Sequence, residues 1–222
     1  MDESIPVIAI DGPSASGKGT VAQQVAAALG FHYLDSGALY RLVTLAALHK
    51  GVSLDDEARL AETTREMRVD FRNGRTFLDD VDVTAEVRTE AVSAATSRVA
   101  ANPAVRQTLL ARQRGFRRPP GLVADGRDMG SVVFPEAPLK VFLTADVATR
   151  ADRRYKQLME KGMYAKIEEV VEELRRRDAR DTSRAVAPLK HYPDAFFLDT
   201  TGLSVEVAVH KILEWWRERS LR

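Results

Sequence analysis

The chain has 222 residues, of which 45% are apolar and 29% charged, which suits a single domain with a substantial buried core and excludes a wholly disordered chain. A formal net charge of +1 argues against a protein that coats nucleic acid non-specifically, and the absence of cysteine excludes thiol nucleophiles, disulfides and thiolate metal sites. The acidic start "MDESIPVIAI" has neither the basic region nor the long apolar run of a signal peptide, and no stretch approaches a membrane span, so a soluble cytoplasmic protein with no membrane partner is expected.

Short apolar runs that suit buried strands recur at 6–10 ("PVIAI"), 31–34 ("FHYL"), 121–124 ("GLVA"), 139–144 ("LKVFLT") and 195–198 ("AFFL"), mostly with longer helical patterns between them. That alternation predicts an α/β fold with a parallel sheet covered on both faces. The first helix is predicted over about 18–29, with Gly30 as its stop, and a second from Ser36, as N-cap, to Gly51. From Val52 to about Thr84 the rhythm breaks, and alternation around Asn73-Gly74 predicts a small antiparallel insertion. Helices are expected at about 86–101 and 103–118, a break at "RRPPG" (117–121), and two more helices around Gly162.

The first strand runs into "GPSASGKGT" (12–20), which nearly matches the phosphate-binding loop of nucleoside triphosphate enzymes. Lys18 is followed by Gly19, and the hydroxyl is displaced to Thr20. A strand running in and an amphipathic helix running out would converge backbone N–H groups and the positive helix end on one anion. Lys18 would add a cation for the terminal phosphates. The Gly-Lys-Gly-Thr ending resembles the nucleoside monophosphate kinases, and by that resemblance Thr20 contacts a phosphate or Mg²⁺, with the choice open.

"LDSGALYR" (34–41) and "ADGRDMG" (124–130) follow the second and third core strands, at the carboxyl edge where open α/β sheets bind ligands. Taken alone, Ser36 and Arg41 also suit a capped helix with a surface arginine, and Arg175 and Arg176 a solvated face with Glu172–Arg176 and Glu173–Arg177 pairs. Asp125 ends an apolar strand, the usual place of an aspartate that orients hydrated Mg²⁺, and an Asp-Gly turn is its alternative. Asp11 suits loop shaping better than metal binding. The four histidines share no motif and receive no catalytic role.

"IDGPSASGKGT", "LDSGALYR", "ADGRDMGSVVFP" and "RDARDTSRAVAPL", in this order and at these separations, resemble the bacterial cytidylate kinase family over essentially the whole chain. The resemblance implies the monophosphate-kinase version of the α/β fold. A five-stranded parallel sheet would form a core of about 1–35, 119–150 and 170–222. An acceptor-binding region would span about 36–118, with its β insertion at about 63–85, and a lid about 151–168. It implies ATP as phosphoryl donor, Mg²⁺, CMP and dCMP as acceptors, and a monomer.

Residue by residue, the resemblance gives donor-phosphate contacts to Gly12, Pro13, Ser14, Ala15, Ser16, Gly17, Lys18, Gly19, Thr20 and Arg153. It gives the acceptor phosphate to Ser36, Arg41 and Arg127, the cytosine to Ser97, Arg106 and Asp128, and the sugar and neighbouring phosphate to Arg177 and Asp181. Tyr40 would line the acceptor site, and Thr20 and Asp125 would hold the metal, Asp125 through water. Lys18, Arg127, Arg177 and Arg184 would be catalytic, and the lid arginines would be drawn from Arg150, Arg153, Arg154, Arg180 and Arg184.

The chemistry agrees with these residue types. Phosphoryl transfer depends on in-line positioning and on cations, and arginine binds phosphate bidentately while staying charged. A phosphate acceptor is already largely a dianion at neutral pH and needs no general base. Cytosine offers an N4 amino donor that suits a carboxylate, whereas uracil presents O4 there, so CMP is expected over UMP. The alternatives are a kinase for another small acceptor, such as UMP, AMP or shikimate, and a non-catalytic nucleotide sensor or nucleic-acid module using the arginine-rich helix.

Overall fold

In chain order, a computed structural model shows β1 (Val7–Asp11), α1 (Lys18–Leu29), β2 (His32–Asp35), α2 (Ser36–His49), α3 (Glu57–Glu66), β3 (Val69–Arg72), β4 (Arg75–Leu78) and β5 (Val81–Asp82). There follow α4 (Glu90–Val99), α5 (Pro103–Arg114), β6 (Leu122–Gly126), β7 (Leu139–Thr144), α6 (Val147–Glu160), α7 (Ile167–Ser183), β8 (Phe196–Asp199) and α8 (Val205–Ser220). Residues 4–72 and 74–220 are described. They form two units, one of residues 4–34 and 116–220 and the other of residues 35–72 and 74–115.

In the first unit the strands run in the order β2-β6-β1-β7-β8. β1 lies parallel to β6 and β7, so that Ile10 stands beside Asp125 on one side and Val141 on the other. Val7, Ile8, Ala9 and Ile10 are all fully buried, because a parallel sheet covered on both faces exposes neither set of alternating side chains. Ile8, Ile10, Val123, Val141 and Leu198 pack against Val21 and Val25 of α1 and Ala208 and Ile212 of α8. This core fixes the carboxyl ends of β1 and β6, where Asp11 and Asp125 emerge. Gly30 stops α1 in the left-handed conformation (φ 65°), as the sequence predicts.

The second unit carries α2 to α5 and the antiparallel sheet β3-β4-β5. Gly74 turns the predicted hairpin at φ 71°, while its partner Asn73 lies outside the described residues.

Four local expectations need correction. Within 52–84 the chain first makes α3, started by Asp56, whose side chain accepts from the Arg59 N–H at 3.0 Å, and anchored by fully buried Leu60. Asp35 rather than Ser36 caps α2, since its carboxylate reaches the Ala38 N–H at 2.9 Å and leaves Ser36 as the first helical residue. The predicted 86–101 helix is a 3-10 turn, Glu86–Arg88, then α4, because Thr89 between them is extended (φ −70°, ψ 154°). The helix predicted to 118 ends at Arg114, with Gly115 as its C-cap.

Candidate active site

The loop between β1 and α1 is shaped by two glycines that no other residue could replace without strain. A Cβ on Gly12 would be driven into the Leu143 carbonyl oxygen, and Gly17 caps α1 in the left-handed region at φ 90°. Ala15 adopts the same region at φ 58°, an uncommon conformation for a residue with a Cβ. Two loop carbonyls are held by arginines: Arg150 donates to Ser14 O at 3.3 Å and Arg153 to Ser16 O at 2.9 Å. Lys18 is buried, with Nζ 3.4 Å from Pro13 O and 3.7 Å from the Asp125 carboxylate. Ser16 Oγ is buried with no hydrogen-bond partner among the described residues, a cost that an oxygen of a bound anion would remove.

Beside the loop lies an arginine–aspartate cluster. Arg127, directly after β6, donates to Ser14 Oγ at 2.9 Å, to Asp181 at 2.9 Å and to Gly126 O at 3.1 Å. Arg184 stands 4.0 Å from the same aspartate and donates to Ala187 O. Burial alone would raise the Asp181 pKa, but the positive charges of Arg127, Arg184 and Arg177 outweigh it and hold the carboxyl below its ordinary range. The ionised form is therefore the one folded beside the loop. Asp128 is buried at the start of a π-helical turn, Met129–Val133, that the sequence did not reveal.

Arg150 bonds Asp178 of α7 at 2.6 and 3.1 Å and Ala145 O at 3.0 Å, which makes it a strut between α6, α7 and the loop. Arg153 also bonds Thr200. Arg180 is exposed on α7, and Arg176 pairs with Glu172 at 3.5 Å on a solvated face. Asp125 accepts from the Tyr33 hydroxyl at 3.2 Å, and a Cβ on Gly19 would lie 3.2 Å from its Oδ2, so this carboxylate faces the loop. Tyr33 went unremarked in the sequence because it belongs to no motif. Thr20 is exposed on the first turn of α1.

Asp11 accepts from the N–H groups of Met129 and Gly130, both at 2.8 Å, and so shapes the turn after β6. Burial raises its pKa from 3.8 to about 7, with Asp128 and Asp125 adding to the rise and the two N–H bonds opposing it. Between about pH 4 and pH 7 the folded chain keeps a proton that the unfolded chain loses, so this group's contribution to stability declines as pH rises through that window. Urea unfolding of wild type and Asp11→Asn at pH 5, 6, 7 and 8 checks this. The difference should move in the variant's favour up to about pH 7 and then level. A constant difference would contradict it.

The second unit presents a further set of predicted residues on α2, α4 and α5. Asp35 holds Arg41 at 2.7 Å with the oxygen not used for capping, and Gly37 leaves room for this pair: its Cβ would lie 3.1 Å from one partner and 3.4 Å from the other. Gln113 donates to Ser36 Oγ at 2.9 Å. Arg106 lies over the Tyr40 ring at 5.6 Å and donates to Ala100 O. Arg41 Nε and Ser97 Oγ are buried with no hydrogen-bond partner among the described residues. Native chains seldom leave such groups unsatisfied except where function uses them.

A strand–loop–helix phosphate cradle at the carboxyl edge of a parallel sheet, with a buried lysine and an arginine cluster beside it, defines a P-loop phosphotransferase. The family model "Cytidylate kinase" matches residues 8–218. Cytidylate kinase of Chromobacterium violaceum is 55% identical over 216 residues, 97% of each chain. That of Burkholderia cenocepacia is 56% identical over 212 residues, 96% of this chain and 93% of its own, and that of Burkholderia mallei 57% over 213, with the same coverage. The chain belongs to the cytidylate kinase family. Among the described residues no helix is long and apolar enough to cross a membrane.

Proposed function

We propose that this protein transfers the γ-phosphoryl group of ATP to CMP and dCMP, releasing ADP and CDP or dCDP. The observation that carries the reading is the bond from Arg127 to Ser14 Oγ, which sets a second anion-binding group against the donor-phosphate loop. A loop that only bound a triphosphate would not need it.

The loop residues 12–20 and Arg153 take the donor phosphates. Ser36, Arg41 and Arg127 take the acceptor phosphate, Ser97, Arg106 and Asp128 the cytosine, and Arg177 and Asp181 the sugar and nearby phosphate, with Tyr40 lining the acceptor. These roles rest on the family motifs, and the unspent buried polarity of Ser16, Arg41 and Ser97 supports them. Because Asp181 needs only the 3′-hydroxyl to accept from, dCMP is accepted.

An oxygen of the acceptor phosphate attacks the γ-phosphorus as the bond to the ADP oxygen breaks, and no proton need be removed first. Lys18, Arg127, Arg177 and Arg184 stabilise the charge that spreads over the transferred group. A carboxylate and a hydroxyl are donor types that suit hydrated Mg²⁺; Asp125, which faces the loop, and Thr20 on the first turn of α1 would hold it, Asp125 through water. Bound Mg²⁺ would supply neutralisation of the donor phosphates. A monomer is the form expected to act.

ADP release measured with ATP, with and without CMP, tests the reading. CMP should raise the rate at least a hundredfold. Binding of both nucleotides without CMP-dependent ADP would point instead to a sensor.

A further inference from the structure

Gln113 belongs to no recognised motif, yet its side chain sits in α5 with 1% of the residue exposed and donates from Nε2 to Ser36 Oγ at 2.9 Å. A long amide immobilised in the interior loses rotamer freedom and must be desolvated, so the fold retains it against a cost. The position of the bond has a chemical consequence. A serine hydroxyl has one proton and two lone pairs. By occupying a lone pair, Gln113 leaves the Ser36 proton for donation elsewhere, and among the described residues no acceptor for it is found.

Neighbouring groups are arranged alike. Ser36 is the first residue of α2, and it is spared the capping duty because Asp35 accepts from the Ala38 N–H. The other oxygen of Asp35 holds Arg41, whose Nε is buried without a partner among the described residues. Both groups assigned to the acceptor phosphate on α2 are thus braced by one protein contact, with donor capacity left over.

We propose that Gln113 is a positioning residue for CMP phosphorylation: its amide fixes Ser36 so that the hydroxyl proton points to the acceptor phosphate. This rests on the reading of Ser36 as a phosphate ligand. Gln113 touches no substrate, and its effect is transmitted through Ser36 alone.

A double-mutant cycle separates this from simple packing. Gln113→Met keeps the length of the side chain and removes the donor. It should raise KM for CMP about five- to tenfold, within the range of a neutral hydrogen bond, and leave KM for ATP within about twofold. In a Ser36→Ala background the same substitution should change KM for CMP less than about twofold. Gln113→Glu, nearly isosteric, serves where methionine disrupts the fold. It can only accept from Ser36 and sets a negative charge near the anion, so its effect should exceed that of methionine. Equal effects of Gln113 substitution in both backgrounds, or a parallel rise in KM for ATP, overturn the inference. Wild type assayed alongside keeps the two readings distinguishable: no CMP-dependent ADP release removes the kinase reading and this inference with it, whereas normal wild-type turnover with additive effects overturns the role of Gln113 alone.

Discussion

Replacing Lys18 by methionine should lower kcat for CMP phosphorylation about 10³-fold while KM for CMP stays within about threefold. Methionine keeps an apolar stem of similar length in a position only 9% exposed, so the packing of the first turn of α1 is retained and the charge is what changes. That charge lies at the mouth of a loop whose Ser14 and Ser16 carbonyls are already taken by Arg150 and Arg153. The ammonium donates to Pro13 O at 3.4 Å and stands 3.7 Å from Asp125. A preorganised cation in a partly desolvated site acts on charge that develops in the transition state, and losing one such group typically costs two to three powers of ten, about 10²–10³. Lys18→Arg should not restore the rate, because a forked guanidinium does not fit where a compact ammonium does. Steady-state kinetics with a thermal melt as a folding control decide it. A kcat within tenfold of wild type, with the fold intact, would remove Lys18 from the reaction.

The second large effect concerns base choice. Asp128→Asn should collapse the preference for CMP over UMP, from roughly 10³–10⁴ to within about tenfold. Asp128 is 3% exposed, and an ionised carboxylate offers only acceptors. It suits the cytosine N4 amino group and opposes the uracil O4. Discrimination is large when the wrong substrate leaves a buried polar group unpaired, and small when it merely alters size. Asparagine can present either its carbonyl or its amino group, so it removes the penalty against uracil while preserving shape. KM for ATP should change less than about threefold. If kcat/KM for CMP and UMP fell in equal proportion, Asp128 would be a structural residue and the base would be read elsewhere.

Much of this was legible in the sequence because it depends on local pattern. "PVIAI" followed by "GPSASGKGT" specifies a strand, a glycine-rich loop and a helix, since each rests on neighbouring residues. The parallel sheet followed from alternation alone. α3 was missed because "EARLAETTRE" is polar, with Leu60, Ala61, Thr63 and Thr64 as its narrow buried face, and the hairpin signal after it was stronger. Ser36 and Asp35 are both good caps, and only the reach of Asp35 to both Ala38 N and Arg41 decides between them. The struts could not be read at all. Arg150 meets Ser14 from 136 positions away in sequence, and Gln113 meets Ser36 from 77. Such contacts exist only once the chain has folded, and no motif announces them.

The arginines divide along the same line. Taken alone, the arginines of "RRRDARDTSR" also suited a solvated helix face, and the family resemblance offered five lid candidates without ranking them. In the folded chain Arg150 is spent on Asp178, Ser14 and Ala145, Arg153 on Ser16 and Thr200, and Arg180 is exposed. Arg184 stands 4.0 Å from Asp181, which also accepts from Arg127. The residue types came from the sequence; the partners of each arginine came from the fold.

On the proposed reading this chain phosphorylates cytidine monophosphate. Steady-state ADP release by the wild-type protein with ATP and Mg²⁺, with CMP, UMP and AMP each supplied over a range of concentrations, tests it most directly. The expected kcat/KM for CMP is at least a hundredfold above that for UMP or AMP; comparable values for the three, or a preference for UMP or AMP, would overturn this reading.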